Sequence, residues 1–263
     1  MDLKERFIPN MYDFCDRWCE KCKRCDRCMN YFLMEEMKAR SETLPKEIRE
    51  RKEGEDGWAH LKKMLGVAYK MLREVVKENG LNMEDVCGFD QLHRDMMKVG
   101  DLDKQEEEET MERRIQASDA IRLSSLYEHL ADKCLKRVME LEGDIDPDTS
   151  PIADAEDTVG WYMELIQLKV WKALNVLYSG EQTPVANPYN GYAKVGLIAI
   201  RRSEEGWKEV AKVYNEVQED VDELLIVLEE VEKQVVKEFP DAWAFKRPGL
   251  DDDEEEVTAL QPQ

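Results

Sequence analysis

The sequence predicts an all-α protein: an antiparallel four-helix bundle with an N-terminal helical, cysteine-rich metal-binding segment. Apolar residues recur at spacings of three and four along four consecutive stretches of the second half. The breaks between those stretches are short and rich in Gly, Pro and Asn, which makes successive helices antiparallel neighbours. Strand-type alternation and Asn-Gly hairpins between β-branched runs are absent.

The elements follow in order. Residues 26–40 (DRCMNYFLMEEMKAR) read as a short helix, and the polar stretch 41–57, ending in GEDG, as a loop. From Trp58 to Lys77 the residues Trp58, Leu61, Leu65, Ala68, Leu72 and Val75 form one amphipathic face that Asn79-Gly80 stops. Residues 81–100 read as a short helix with turns, and Glu106–Glu109 as a solvated face or linker. Ser118 caps the first bundle helix, with Ile121, Ser125, Glu128, Leu135 and Val138 along one side; Gly143 and DIDPDTSP end it. The second helix, 152–179, carries Val159, Tyr162, Ile166, Ala173 and Val176, and GEQTPVANPYNG follows. The third runs from Tyr192 to Tyr214. The fourth runs from Glu219 to Phe239, with Val221, Leu224, Leu228, Val231 and Val235 inward and Pro240 as its stop. Gly160, Gly196 and Gly206 are expected to permit close helix contact. The expected organisation is a cysteine segment (1–40), a helical connector packing on the bundle (41–115), the bundle (116–247) and a disordered acidic tail (248–263).

Of the 263 residues, 37% are charged and 42% hydrophobic, and the net charge is −21. A strongly acidic chain is poorly suited to displace counterions from phosphate, so nucleic acid is not the expected partner. Anionic membrane is disfavoured for the same reason, and no run of 18 apolar residues suggests a span. The start, MDLKERFIPNMYDF, has no apolar signal region. A cytoplasmic location and a protein partner are the expectation.

Five of seven cysteines fall in CDRWCEKCKRCDRC: Cys15, Cys19, Cys22, Cys25 and Cys28. In a reducing compartment such packing points to metal ligands or redox groups, not structural disulfides. On a helix Cys15, Cys19 and Cys22 share a stripe, but Cys28 lies thirteen residues on, roughly 20 Å from Cys15. A four-thiolate site therefore needs the chain to fold back between Cys22 and Cys28, although no Gly or Pro marks the turn. Cys15, Cys19 and Cys22 give C-x3-C-x2-C, which resembles the signature of radical S-adenosylmethionine enzymes; the missing strand–helix alternation excludes that family. Cys19, Cys22 and Cys25 give C-x2-C-x2-C, the start of a ferredoxin-type run, with the next cysteine at x2 instead of x3 and no Pro after it. An iron–sulfur cluster is the first expectation. Zinc is the alternative, its usual pattern being two C-x2-4-C knuckles with a longer loop between. Arg17, Lys21, Lys23, Arg24 and Arg27 outnumber Glu20 and Asp26 here and favour thiolates. Cys134 reads as a small buried apolar residue.

A carboxylate-bridged di-iron site in the bundle needs Glu-x-x-His pairs. None of His60, His93 and His129 has Glu three residues before it. Glu128, Lys169 and Arg202 fall on apolar stripes, where a charge must pair or snorkel. They are read either as an internal ion pair or as a polar pocket for a small anion or substrate. No P-loop, nucleophile elbow or dinucleotide fingerprint is present.

CDRWCEKC with a later Cys28, then WYMELIQLKVWKAL, KVGLIAIRRSEEGW and FPDAWAFKRPG, resembles an uncharacterised group of helical bacterial proteins. The likeness covers the N-terminal motif and the second half and hardly touches 40–115. It implies Cys15, Cys19, Cys22 and Cys28 as ligands, with Cys25 extra, and brings no activity. The expected function is an iron–sulfur protein in electron transfer or redox sensing. The alternatives are a zinc-stabilised interaction module and an enzyme with a polar pocket in the bundle.

Overall fold

The computed structural model describes residues 3–46, 50–51, 54–83, 86, 102–143, 149–180 and 184–251. Among the described residues the protein is all-helical, without a strand. No described helix is long and apolar enough to cross a membrane. The chain divides into two compact units. The first holds Met1–Asp13, Arg17–Gly100 and Pro248–Leu250; the second holds Phe14–Asp16, Asp101–Arg247 and Asp251–Gln263. The helices on either side of the expected boundary at residue 40 share one core.

In the first unit, α1 (Met29–Glu42) packs on α2 (Gly57–Glu78). Asp56 caps α2 by accepting the Ala59 N–H at 3.1 Å. At the other end Gly80 takes φ +66°, and Leu81 N–H reaches back to Val76 O at 2.9 Å. This left-handed stop satisfies a carbonyl that helix geometry leaves open. Leu72, Val75 and Val76 of α2 form a core with Phe7, Leu33, Leu81 and Val86. The predicted stripe is buried only in this C-terminal half; Trp58 is 72% exposed. The helix expected within 81–100, with Cys87 and His93, lies almost wholly outside the described residues.

The second unit contains α3 (Leu102–Gln116), α4 (Asp119–Glu142), α5 (Ala153–Ser179), α6 (Pro188–Val213) and α7 (Gln218–Glu238). The segment Glu106–Glu109, expected to be a face or linker, is part of α3. The pairs α5/α6, α4/α7, α4/α5 and α6/α7 all pack. The stripes expected for α5 and α7 are buried throughout. That of α4 is rotated. Its buried residues are Ala120, Ile121, Ser124, Tyr127, Ala131, Cys134 and Val138, whereas Ser125 is exposed. Tyr127 sets the rotation: its ring is fully buried, and its hydroxyl accepts the Trp207 Nε1–H at 3.0 Å. A Cβ on Gly206 would stand 2.8 Å from Val159 Cγ1, so this glycine does permit close contact between α5 and α6. Gly196 faces Val170 at 3.5 Å, but Gly160 faces open space.

The tail expected from residue 248 is described as far as Asp251, and the Asp251 side chain is buried. Its carboxylate accepts from Lys194 Nζ at 2.7 Å and from Arg247 N and Nε at 2.9 and 2.8 Å. Lys194 also donates to Phe245 O at 2.7 Å. These bonds hold Phe245, Arg247 and Asp251 on α6. Phe14 lies in the same place, its ring centroid 5.2 Å from that of Tyr192 and 4.9 Å from that of Phe245. A Cβ at Gly191 would overlap the Phe14 ring and stand 2.7 Å from Phe245 Cε1. Gly191→Ala is therefore expected to lower stability by about 1–3 kcal/mol through overpacking, read as an earlier midpoint in urea; an unchanged midpoint would show that the rings yield freely.

Candidate metal centre

The cysteine segment is not one helix. Arg17 adopts φ +61°, a left-handed conformation that turns the chain where no glycine marked a turn. Two 3-10 turns follow, Cys19–Lys21 and Cys25–Arg27, each closed by a cysteine. Cys22 N–H bonds Cys19 O at 3.2 Å, and Cys28 N–H bonds Cys25 O at 3.1 Å. The closing cysteines have nearly the same backbone, φ −81°, ψ 120° at Cys22 and φ −98°, ψ 117° at Cys28. Each also has a sulfur that accepts a backbone N–H at 3.4 Å, from Arg24 for Cys22 and from Tyr31 for Cys28.

The structure thus repeats a six-residue unit, and the sequence repeats with it: CEKCKR, then CDRCMN. The pattern cysteine–acid–base–cysteine lies in the sequence itself, but helical period divides it differently. The second copy starts α1. Cys28 is its N-cap, which moves the helix start from the expected residue 26 to Met29. A thiol here does what Ser or Asp usually does.

Residues 6–8 brace the second turn. Ile8 N–H bonds Arg27 O at 3.0 Å, Arg6 Nε bonds Asp26 O at 2.9 Å, and Arg27 Nε bonds Arg6 O at 2.8 Å. The Phe7 and Phe32 rings meet at a tilt, their centroids 5.4 Å apart. Cys28 is buried, while Cys19, Cys22 and Cys25 are half-buried; all are thiols without a disulfide. Burial pushes the Cys28 thiol up, the Tyr31 and Asn30 N–H groups oppose this, and the Cys22 and Cys25 thiols add to the rise. The Tyr31 phenol is raised first by Glu35, then by burial, and also by Cys25 and Cys19. The four sulfurs therefore share one electrostatic neighbourhood in the first unit. Among the described residues, no three Cys, His, Asp or Glu side chains converge on a single point.

Cys15, the first expected ligand, belongs to the second unit. Its carbonyl accepts from Lys169 Nζ at 2.7 Å. Asp16 beside it accepts from the Tyr162 hydroxyl and from Arg202 NH1, both at 2.7 Å, while Arg202 also bonds the Tyr162 oxygen. Trp161 Nε1 donates to Asp16 O at 3.0 Å. Two of the three charged residues picked from the apolar stripes are thus brought together, on a backbone strap and not on each other. Glu128 is half-buried on α4 and stands outside this group. The partner that sequence reading lacked was Asp16, distant in the chain from Tyr162 and Arg202. Tyr162→Phe removes a hydroxyl held between two charges. It is expected to cost about 1.5–3 kcal/mol, measured by urea unfolding; no loss would mean the cluster does not hold the strap.

Cys134 lies in the α4 core, where burial pushes its thiol up to about 11. It is a packed, buried residue, as expected from its place on the helix. Comparison with protein-family models, curated proteins and solved structures finds no match to this chain.

Proposed function

We propose that the first unit is organised around a four-thiolate metal centre held by Cys19, Cys22, Cys25 and Cys28, with Cys15 outside the set. The observation that carries this reading is the pair of equivalent Cys-x2-Cys turns, each with a backbone N–H directed at its second sulfur. Such N–H groups stabilise a thiolate and orient it, as outer partners of metal ligands do. Two turns offering two sulfurs each suit one tetrahedral ion, and an all-sulfur set selects zinc or iron. Rotation of the Cys19, Cys22 and Cys25 side chains toward the Cys28 sulfur is the step that binding would add.

In the zinc form the centre is structural. It would fix the N-terminal unit of a cytoplasmic interaction protein whose α4–α7 form an antiparallel four-helix bundle. The ring of packed pairs α5/α6, α4/α7, α4/α5 and α6/α7 supports that arrangement. The iron–sulfur form, with a role in electron transfer or redox sensing toward another protein, is the second reading. The excess of cations at Arg17, Lys21, Lys23, Arg24 and Arg27 favours it, because these would stabilise the added negative charge of a reduced cluster. Anaerobic purification with elemental analysis tests both. Zinc gives a colourless protein with one ion per chain, iron with inorganic sulfide gives a brown one, and a chain holding neither would end the proposal.

A further inference from the structure

The two turns are alike in backbone, and the second also starts a helix. Cys28 is buried, its sulfur caps α1 through the Tyr31 N–H, and its carbonyl receives the Phe32 N–H at 3.1 Å. Its turn is also tied to residues 6–8 by three hydrogen bonds. Moving the Cys28 sulfur therefore uncaps a helix. In the first turn both sulfurs are half-buried, and the Cys22 sulfur receives the N–H of Arg24, a residue of the short link between the turns. In a 3-10 turn the side chains at i and i+3 eclipse, so Cys19 and Cys22 project from the same side.

We propose that the centre has an oxidation-sensitive half: Cys19 and Cys22 close to a disulfide under a hydroperoxide, while Cys25 and Cys28 stay reduced. This rests on the metal reading above and adds its regulation. The chemistry balances. One thiolate sulfur attacks the peroxide, an S–O bond forms, the O–O bond breaks, and the alcohol or water leaves with a proton. The second thiolate then attacks that sulfur, the S–S bond forms, and the hydroxyl departs as water. Two electrons pass from the thiols to the peroxide. The metal loses two of four ligands and is released.

The sequence makes the test direct. Trypsin cuts after Arg17, Lys21, Lys23, Arg24 and Arg27, so the four cysteines leave on different peptides. The purified protein is assayed for metal, exposed to substoichiometric hydrogen peroxide, alkylated, and digested without reduction. The expected result is a first linkage between peptides 18–21 and 22–23, with metal freed, and peptides 25–27 and 28–38 recovered alkylated. A first linkage of 25–27 to 28–38, or links crossing between turns, overturns the inference. So does loaded protein whose four thiols all remain alkylatable, and then the metal reading stands. If the untreated protein holds no metal, that reading fails, and the order of linkage still decides between the turns.

Discussion

Asp251→Asn is expected to destabilise the second unit by about 3–5 kcal/mol, the usual cost of leaving buried charges without their counter-ion. The carboxylate is 4% exposed and its partner Lys194 2% exposed, so water cannot take its place. An amide at this position keeps the shape but leaves Lys194 and Arg247 without an anion. Burial pushes the Asp251 carboxyl up, but the Arg247 guanidinium and N–H, together with Lys194, more than offset this, and the net shift is downward. A carboxylate with a depressed folded pKa adds stability above its unfolded value of about 3.9 and loses it as pH falls through the folded value. The wild type should therefore lose stability on acidification below that range, and Asp251→Asn should show a shallower decline from a lower start. Urea unfolding followed at several pH values measures both. Parallel pH profiles would show that the carboxylate is not coupled to folding.

The segments that were legible in the sequence are those whose neighbours in space are also neighbours in period. On α5 and α7 a single side faces the core, so spacing alone identified Val159, Tyr162, Val221 and Leu228 as buried. On α4 the large ring of Tyr127 decides which side turns inward, and its partner Trp207 is eighty residues away. No local pattern carries that pairing. Asp251 was obscured by composition: it opens an acidic run, and nothing within the run distinguishes it from Asp252. Its cations sit at positions 194 and 247, one of them on α6. Asp16 was hidden for the same reason, because its partners lie on α5 and α6. In the cysteine segment the need for a turn was legible from the helical distance between Cys15 and Cys28, but it was expected between Cys22 and Cys28; the turn at Arg17 was not legible because the residue is not a glycine, and the six-residue repeat does not follow helical period.

Cys25→Ser is expected to abolish metal binding, whereas Cys15→Ser leaves it complete. The two substitutions separate the ligand set of the paired turns from the C-x3-C-x2-C set of the N-terminal pattern. The consequence for folding should exceed that of any other single change. A structural four-thiolate zinc site contributes about 10–16 kcal/mol in small peptides at neutral pH, because the unfolded chain offers no preformed site. Among its described residues the first unit has a modest core to set against such a loss, centred on Leu33, Leu72, Val75 and Val76. A competing chelator should therefore release the turns and fray α1 from Cys28 onward, while α4–α7 keep their own core of Tyr127, Trp207 and Leu228. Hydrogen exchange reads this directly: protection at the Ile8, Cys22, Cys28 and Tyr31 amides should fall on metal removal, and protection along α6 should not. Equal protection at those four amides with and without metal would mean that the turns need no ion to hold their shape. Loss of metal in Cys15→Ser with retention in Cys25→Ser would return the ligand set to Cys15, Cys19, Cys22 and Cys28.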